Sequence, residues 1–160
     1  AENFDSYSSA GELIKILVST VAAGGNLLLD IGPAADGTIP VIMQQRLLEI
    51  GSWLKINGEA IYGTRAFIRS KEDESINPET NKNIFFTRKN NDLYVICLGW
   101  PDGNIVLKGL KTSVTPGVTL LGENLKVNSR LSGGNLIINL PVLTPDSFQH
   151  AYVFRVGGIK

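Results

Sequence analysis

The chain has few of the residues on which metal, disulfide and redox chemistry depend: one cysteine, one histidine and one methionine in 160 residues. With Cys97 as the single thiol, no disulfide can close within the chain. Metal binding needs several His, Cys or carboxylate ligands converging on one point, so a metal centre is not expected, nor any other cofactor. Neither charge is in excess, since 15 Lys and Arg face 15 Asp and Glu. The basic footprint that neutralises phosphates is therefore missing, which argues against nucleic acid as a partner. Long hydrophobic runs are also lacking. Asp30 interrupts the most leucine-rich stretch, residues 27–31, far short of the roughly 18 apolar residues that suggest a membrane span. There is no Asn-x-Ser/Thr acceptor, no G-x-S-x-G elbow, no G-x-G-x-x-G and no P-loop, so neither a serine hydrolase nor a nucleotide site is expected. The first residue is Ala1 rather than Met, and no signal peptide precedes it, which fits a processed or truncated product.

What is present describes a globular chain, with 43% hydrophobic and 19% charged residues. Ser9 followed by Glu12 has the spacing of a capping box. Ile14, Leu17, Val18 and Val21 then recur at helical spacing, and Gly24-Gly25 provides a helix exit. Residues 26–31 form an almost unbroken apolar run ended by Gly32-Pro33, as in a strand buried on both faces of a parallel sheet. A loop with the turn pair Asp36-Gly37 leads to Pro40, which suits the first turn of a second helix. Met43, Leu47, Ile50 and Leu54 would be its apolar stripe, and Asn57-Gly58 its stop.

Beyond Gly58 the period changes. Short β-like runs fall at 66–69, 84–88, 93–98, 105–107, 118–121, 125–127, 136–140 and 151–156. Turn residues such as Lys89-Asn90-Asn91-Asp92 and Ser132-Gly133-Gly134 separate them, the pattern of an antiparallel sandwich. The polar stretch from Ser70 to Asn83, with its charge run Lys71-Glu72-Asp73-Glu74, reads as an exposed loop. The division is thus residues 1–58, helix–strand–helix, and residues 59–160, all-β.

Residues 26–31 have no second parallel-type strand within 1–58, and the later β runs are suited to each other. Buried backbone groups left unpaired cost on the order of 1–3 kcal/mol each. This strand should therefore be one stave of a larger sheet or barrel completed by polypeptide outside these residues. Helix–strand–helix at such a position is the form of the last turn of a (β/α)8 barrel.

Several of the same residues resemble a known family. Gly24-Gly25-Asn26-Leu27-Leu28-Leu29-Asp30-Ile31-Gly32-Pro33, then Asp36-Gly37-Thr38-Ile39-Pro40, are similar to the signature GGNLLLNIGP..DGTIP of α-L-fucosidases of glycoside hydrolase family 29. The likeness continues through residues 51–65, begins upstream at Tyr7-Ser8-Ser9-Ala10-Gly11-Glu12-Leu13-Ile14, and is looser at Leu93-Tyr94-Val95-Ile96 and Trp100-Pro101. The resemblance implies a fold class of α/β plus all-β: the last βα portion of a (β/α)8 barrel followed by an antiparallel β-sandwich. It implies a retaining exo-glycosidase that removes terminal α-L-fucose from glycans, with an aspartate nucleophile and a glutamate acid/base, both upstream of Ala1. This chain alone would then be inactive, and its partners would be the N-terminal barrel portion of the same protein and a fucosylated glycan. Lysosomal or secreted placement and a homo-oligomer are further implications of the family. A non-catalytic carbohydrate-binding or structural protein derived from the same fold is the alternative, because family resemblance does not guarantee activity.

Asp30 stands where the family often has Asn. Barrel chemistry lies at the C-terminal ends of strands, so Asp30 is the candidate substrate-binding residue at the rim, or else it bonds only to loop backbone. Cys97, within an apolar run, reads as a small buried hydrophobe. His150, in a polar stretch, reads as a surface residue. Trp53 reads as packing between the second helix and the sandwich, and Trp100, at a strand end, as packing that could fall at the domain seam.

Overall fold

The computed structural model of the chain describes residues 7–71, 83–110, 112, 114–123, 125–143 and 150–159. The middle of the expected polar loop, residues 72–82, lies outside the described residues.

Two helices, α1 (Ala10–Ala22) and α2 (Val41–Asn57), precede the sheets. The Ser9–Glu12 box forms as expected. The Glu12 N–H reaches Ser9 Oγ at 3.2 Å, and Glu12 Oε2 accepts the Ser9 N–H at 2.7 Å. At the other end Gly24 takes φ 85°, and the Gly24 and Gly25 N–H groups donate back to the carbonyls of Val21 and Thr20 at 2.9 Å. This is the Schellman arrangement, in which a left-handed glycine satisfies the last helical carbonyls.

The strands are β1 (Arg65–Lys71), β2 (Ile84–Lys89), β3 (Asp92–Cys97), β4 (Ile105–Lys108), β5 (Val118–Leu120), β6 (Leu125–Val127), β7 (Ser129–Ser132), β8 (Asn135–Ile138) and β9 (Tyr152–Val156). Six form one sheet in the order β1-β2-β3-β9-β5-β6, and three form a second in the order β4-β8-β7. Every described pairing is antiparallel. The expected sandwich is therefore present, and the described residues include one strand that the residue pattern did not indicate. That strand, β7, reads Ser-Arg-Leu-Ser. It is an edge strand with one large apolar residue, too polar for hydrophobic alternation to reveal it.

Strand β3 explains the layering. Leu93, Val95 and Cys97 belong to the core between the two sheets, while Tyr94 and Ile96 belong to a second core beneath the helices. Strand β9 divides in the same way, with Tyr152, Phe154 and Val156 facing inward and Val153 facing the helices. The six-stranded sheet is thus covered on both faces: three-stranded sheet on one side, α1 and α2 on the other. Helix α1 buries Ala10, Ile14, Val18 and Ala22, spaced four apart, the spacing of one helical face.

Helix α2 departs from its expected stripe. Of the expected residues Ile50 is buried; the others buried are Ile42, Trp53 and Asn57, while Met43 and Leu54 are half-buried and Leu47 is exposed. The reason is Trp53, whose indole N–H donates to the Ala151 carbonyl at 2.8 Å in a buried setting and so sets which face of the helix meets the sheet. The expectation for Trp53, packing between helix and sandwich, holds. Trp100 does not lie at that seam. It packs on the inner core, edge-on to Tyr152 with ring centroids 4.9 Å apart.

The main correction concerns residues 26–31. They form no strand, and Leu28 is 92% exposed. The cause is the one that made the run conspicuous: among the described residues no strand pairs with it, so the chain has no ladder in which it could take part.

Trp53→Ala is expected to lower unfolding stability by about 3–5 kcal/mol. Trp53→Phe, which retains most of the area, should cost about 1–3 kcal/mol, because the buried Ala151 carbonyl loses its donor. Urea denaturation midpoints check both.

Candidate functional site

Between the start of α1, residues 29–31 and the first half of α2 lies a cavity of about 150 Å³, lined by Tyr7, Leu13, Asp30, Met43, Arg46 and Leu47 among others. The turn that follows residues 29–31 is held by local bonds. Asp36 Oδ1 accepts from the Thr38 N–H at 3.0 Å and the Thr38 hydroxyl at 2.7 Å, and Gly37 turns the chain with φ 84°. These bonds from Thr38 hold the Asp36 carboxyl below the usual aspartate value.

Asp30 is exposed, and its Oδ1 accepts the N–H of its neighbour Ile31 at 2.9 Å. Among the described residues it is the one carboxylate lining the cavity. Arg46, in the first half of α2, reaches the same cavity. Its Nη1 donates to Glu49 Oε2 at 3.2 Å, while its Nε is buried with no acceptor among the described residues. Glu49 also accepts from Gln45 Nε2 at 2.9 Å. A retaining glycosidase needs two carboxyl groups facing each other about 5–5.5 Å apart across the scissile bond. One exposed aspartate, in a cavity whose other lining residues are uncharged apart from Arg46, does not supply that pair. Among the described residues the site can orient, but it holds no complete acid/base couple.

The remaining candidates are brought to other places. Cys97 is buried, and burial pushes its thiol well above the ordinary range, which suits packing rather than nucleophilic chemistry. His150, expected at the surface, is half-buried against α1: a Cβ on Gly11 would come within 3.1 Å of its Nδ1. Among the described residues no three His, Cys, Asp or Glu side chains gather as metal ligands, and no helix is long and apolar enough to cross a membrane.

Comparison with known proteins decides the family. The family model described as Alpha-L-fucosidase matches residues 1–59, and that described as Alpha-L-fucosidase C-terminal domain matches residues 76–157. The chain belongs to the α-L-fucosidase family. The tissue alpha-L-fucosidase of Homo sapiens is 38% identical over 154 residues, covering 93% of this chain and 32% of the relative. The alpha-L-fucosidase of Branchiostoma floridae is 36% identical over 157 residues, covering 96% of the chain and 34% of the relative. Among solved structures, Thermotoga maritima alpha-fucosidase in complex with a mechanism-based inhibitor superposes with a TM-score of 0.79 at 34% identity, over 98% of this chain and 36% of that one. The chain thus spans about a third of the length of the fucosidases it matches and corresponds to their C-terminal part.

The Asp36 turn yields a pH prediction. A carboxyl whose folded pKa is lowered contributes stability that is present above its unfolded value and lost as pH falls through the folded one. Protection of the Thr38 amide from hydrogen exchange should therefore decline as pH drops below the ordinary aspartate value of 3.8 and through the lowered folded value. Asp36→Asn should remove that acid-dependent step.

Proposed function

We propose that this chain is the C-terminal segment of a retaining exo-glycosidase that hydrolyses terminal α-L-fucose from glycans. Residues 1–58 complete its catalytic (β/α)8 barrel, and residues 59–160 form its C-terminal sandwich domain. In this reading residues 26–31 are the last barrel strand and α2 is the last barrel helix. The nucleophile and the acid/base come from polypeptide ahead of these residues. Asp30, at the C-terminal end of that strand, stands at the active-site rim or braces a group that does.

One observation carries the reading. Large apolar side chains stand exposed along residues 28–48: Leu28, Leu29, Ile39, Val41, Leu47 and Leu48. Fully burying one such side chain contributes about 1.5–3 kcal/mol, and so many large apolar residues exposed within one stretch of chain fit an interaction face. Helix α2 carries apolar residues on several sides, as a helix does when it is enclosed by neighbours. The buried Arg46 Nε, without an acceptor among the described residues, fits the same reading, since contact with the N-terminal barrel portion would supply one. Relatives named tissue and plasma fucosidases support lysosomal or secreted placement, and association into a homo-oligomer belongs to the same proposal.

Hydrolysis of an aryl α-L-fucoside tests it. The intact protein should turn the substrate over, and residues 1–160 alone should not; turnover by the segment alone would overthrow the assignment of the catalytic groups. Leu28→Asp provides a second check. It should change the stability of the isolated segment by no more than about 0.5 kcal/mol, yet markedly destabilise the intact protein in thermal unfolding. An equal, small effect in both would show that Leu28 meets nothing.

A further inference from the structure

We propose that the cleft at the C-terminal end of α2 is a carbohydrate-docking site, which holds a neutral pyranose unit against the Tyr62 ring and beside the Glu59–Arg155 pair. The proposal rests on the reading that the protein acts on glycans, and adds a place where part of such a glycan is held.

The cleft has a volume of about 880 Å³ and is lined by Lys55, Ile56, Glu59, Tyr62, Gly122 and Arg155 among others. That lies within the size range of small-ligand sites. Three elements converge on it: α2 brings Lys55 and Ile56, the 3-10 turn Gly58–Ala60 brings Glu59, and β9 brings Arg155. The first two are joined to the sheet by the Trp53–Ala151 bond and by Thr87 Oγ1, which donates to the Ala60 carbonyl at 2.7 Å. The walls are therefore parts of one packed unit.

Tyr62 is fixed from behind and bare in front. Its ring lies over Gly58 so closely that a Cβ there would sit 3.0 Å from two ring carbons. Its N–H donates to the Gly58 carbonyl at 2.7 Å, and its own carbonyl accepts from Lys89 Nζ at 3.1 Å. Yet the residue is 61% exposed. A tyrosine so held offers a large, rigid, amphipathic contact surface at low entropic cost, which suits the C–H face of a pyranose.

The polar groups complement that platform. Arg155 Nη1 and Glu59 Oε1 are 3.6 Å apart, with side chains 41% and 40% exposed. This exceeds ordinary hydrogen-bond length, so the guanidinium and the carboxylate each keep donor or acceptor capacity for a ligand. Planar groups of this kind can bond adjacent hydroxyls in pairs. Close packing shapes the apolar side: a Cβ on Gly122, whose φ is 88°, would come within 2.9 Å of Ile56 Cγ2. Along α2, residues 52–56 of this cleft lie about nine positions beyond residues 43–47 of the Asp30 cavity, roughly 14 Å along the helix axis. A glycan of several sugars spans that distance.

The test uses the intact protein and a fucose-free oligosaccharide of galactose and N-acetylglucosamine, titrated by calorimetry or NMR. Saturable binding is expected, weakened about tenfold or more by Tyr62→Ala and by Arg155→Met, and only about two- to threefold by Tyr62→Phe. In hydrolysis, the same Ala and Met variants should raise KM for a fucosylated oligosaccharide and leave kcat and KM for a small aryl fucoside unchanged. No binding by the unsubstituted protein, or binding indifferent to both substitutions, overturns the site. Should Tyr62→Ala fail to fold, Arg155→Met on β9 is sufficient by itself to support or overturn it. A protein that binds the oligosaccharide but cleaves no fucoside would retain the docking site and refute the fucosidase reading; the converse would do the opposite.

Discussion

The architecture depends on the central strands of the six-stranded sheet being covered on both faces. In β3 and β9 successive side chains point alternately into the inter-sheet core and toward the helices, and almost all of them are buried. A sandwich strand that needed only one cover would expose its outer face to water. Here that face carries Tyr94, Ile96 and Val153, so the sandwich is complete only with α1 and α2 in place. Helices and sandwich are therefore one energetic unit, and the indole bond from Trp53 to Ala151 is the polar contact that orients the join.

That coupling bears on how such a C-terminal domain supports an enzyme. A domain joined only by a linker would let the preceding helices move independently. A domain whose outer sheet face forms half of those helices' core cannot. Displacement of α2 would open the sheet face that it covers, and the loop carrying Asp30 meets the starts of α1 and α2 around the same cavity. In the proposed function the sandwich thereby braces the rim without contributing a reacting group.

The two ends of α2 differ in kind. The first half faces an apolar cavity with one aspartate and a buried, unmatched guanidinium N–H, a surface suited to further polypeptide. The second half borders a polar cleft with an exposed ring and a loose ion pair, a surface suited to a hydrated ligand. Both follow from a helix bearing apolar and polar residues around its whole circumference, of which the sheet covers only one strip.

Much of this was legible from residues alone. The capping box, the glycine exit of α1 and most strands carry local signals, because caps, turns and period-2 alternation act within a few positions. The aspartate of the apolar cavity was legible too, through its place at the end of a leucine run. Strand β7 was not, because its four residues have no alternation to read. Arg46, Glu59, Tyr62 and Arg155 were not, because nothing local distinguishes them from ordinary surface residues. The order of residues was enough to mark both helices, most strands and the family, and to make plain that residues 26–31, which form no strand here, lack strand neighbours of their own. It took the folded chain to settle which face of α2 meets the sheet, that Trp100 belongs to the inner core, and that Glu59 and Arg155, far apart in sequence, share one cleft. Those outcomes depend on long-range packing, where one buried indole bond outweighs the local periodicity of the helix that carries it.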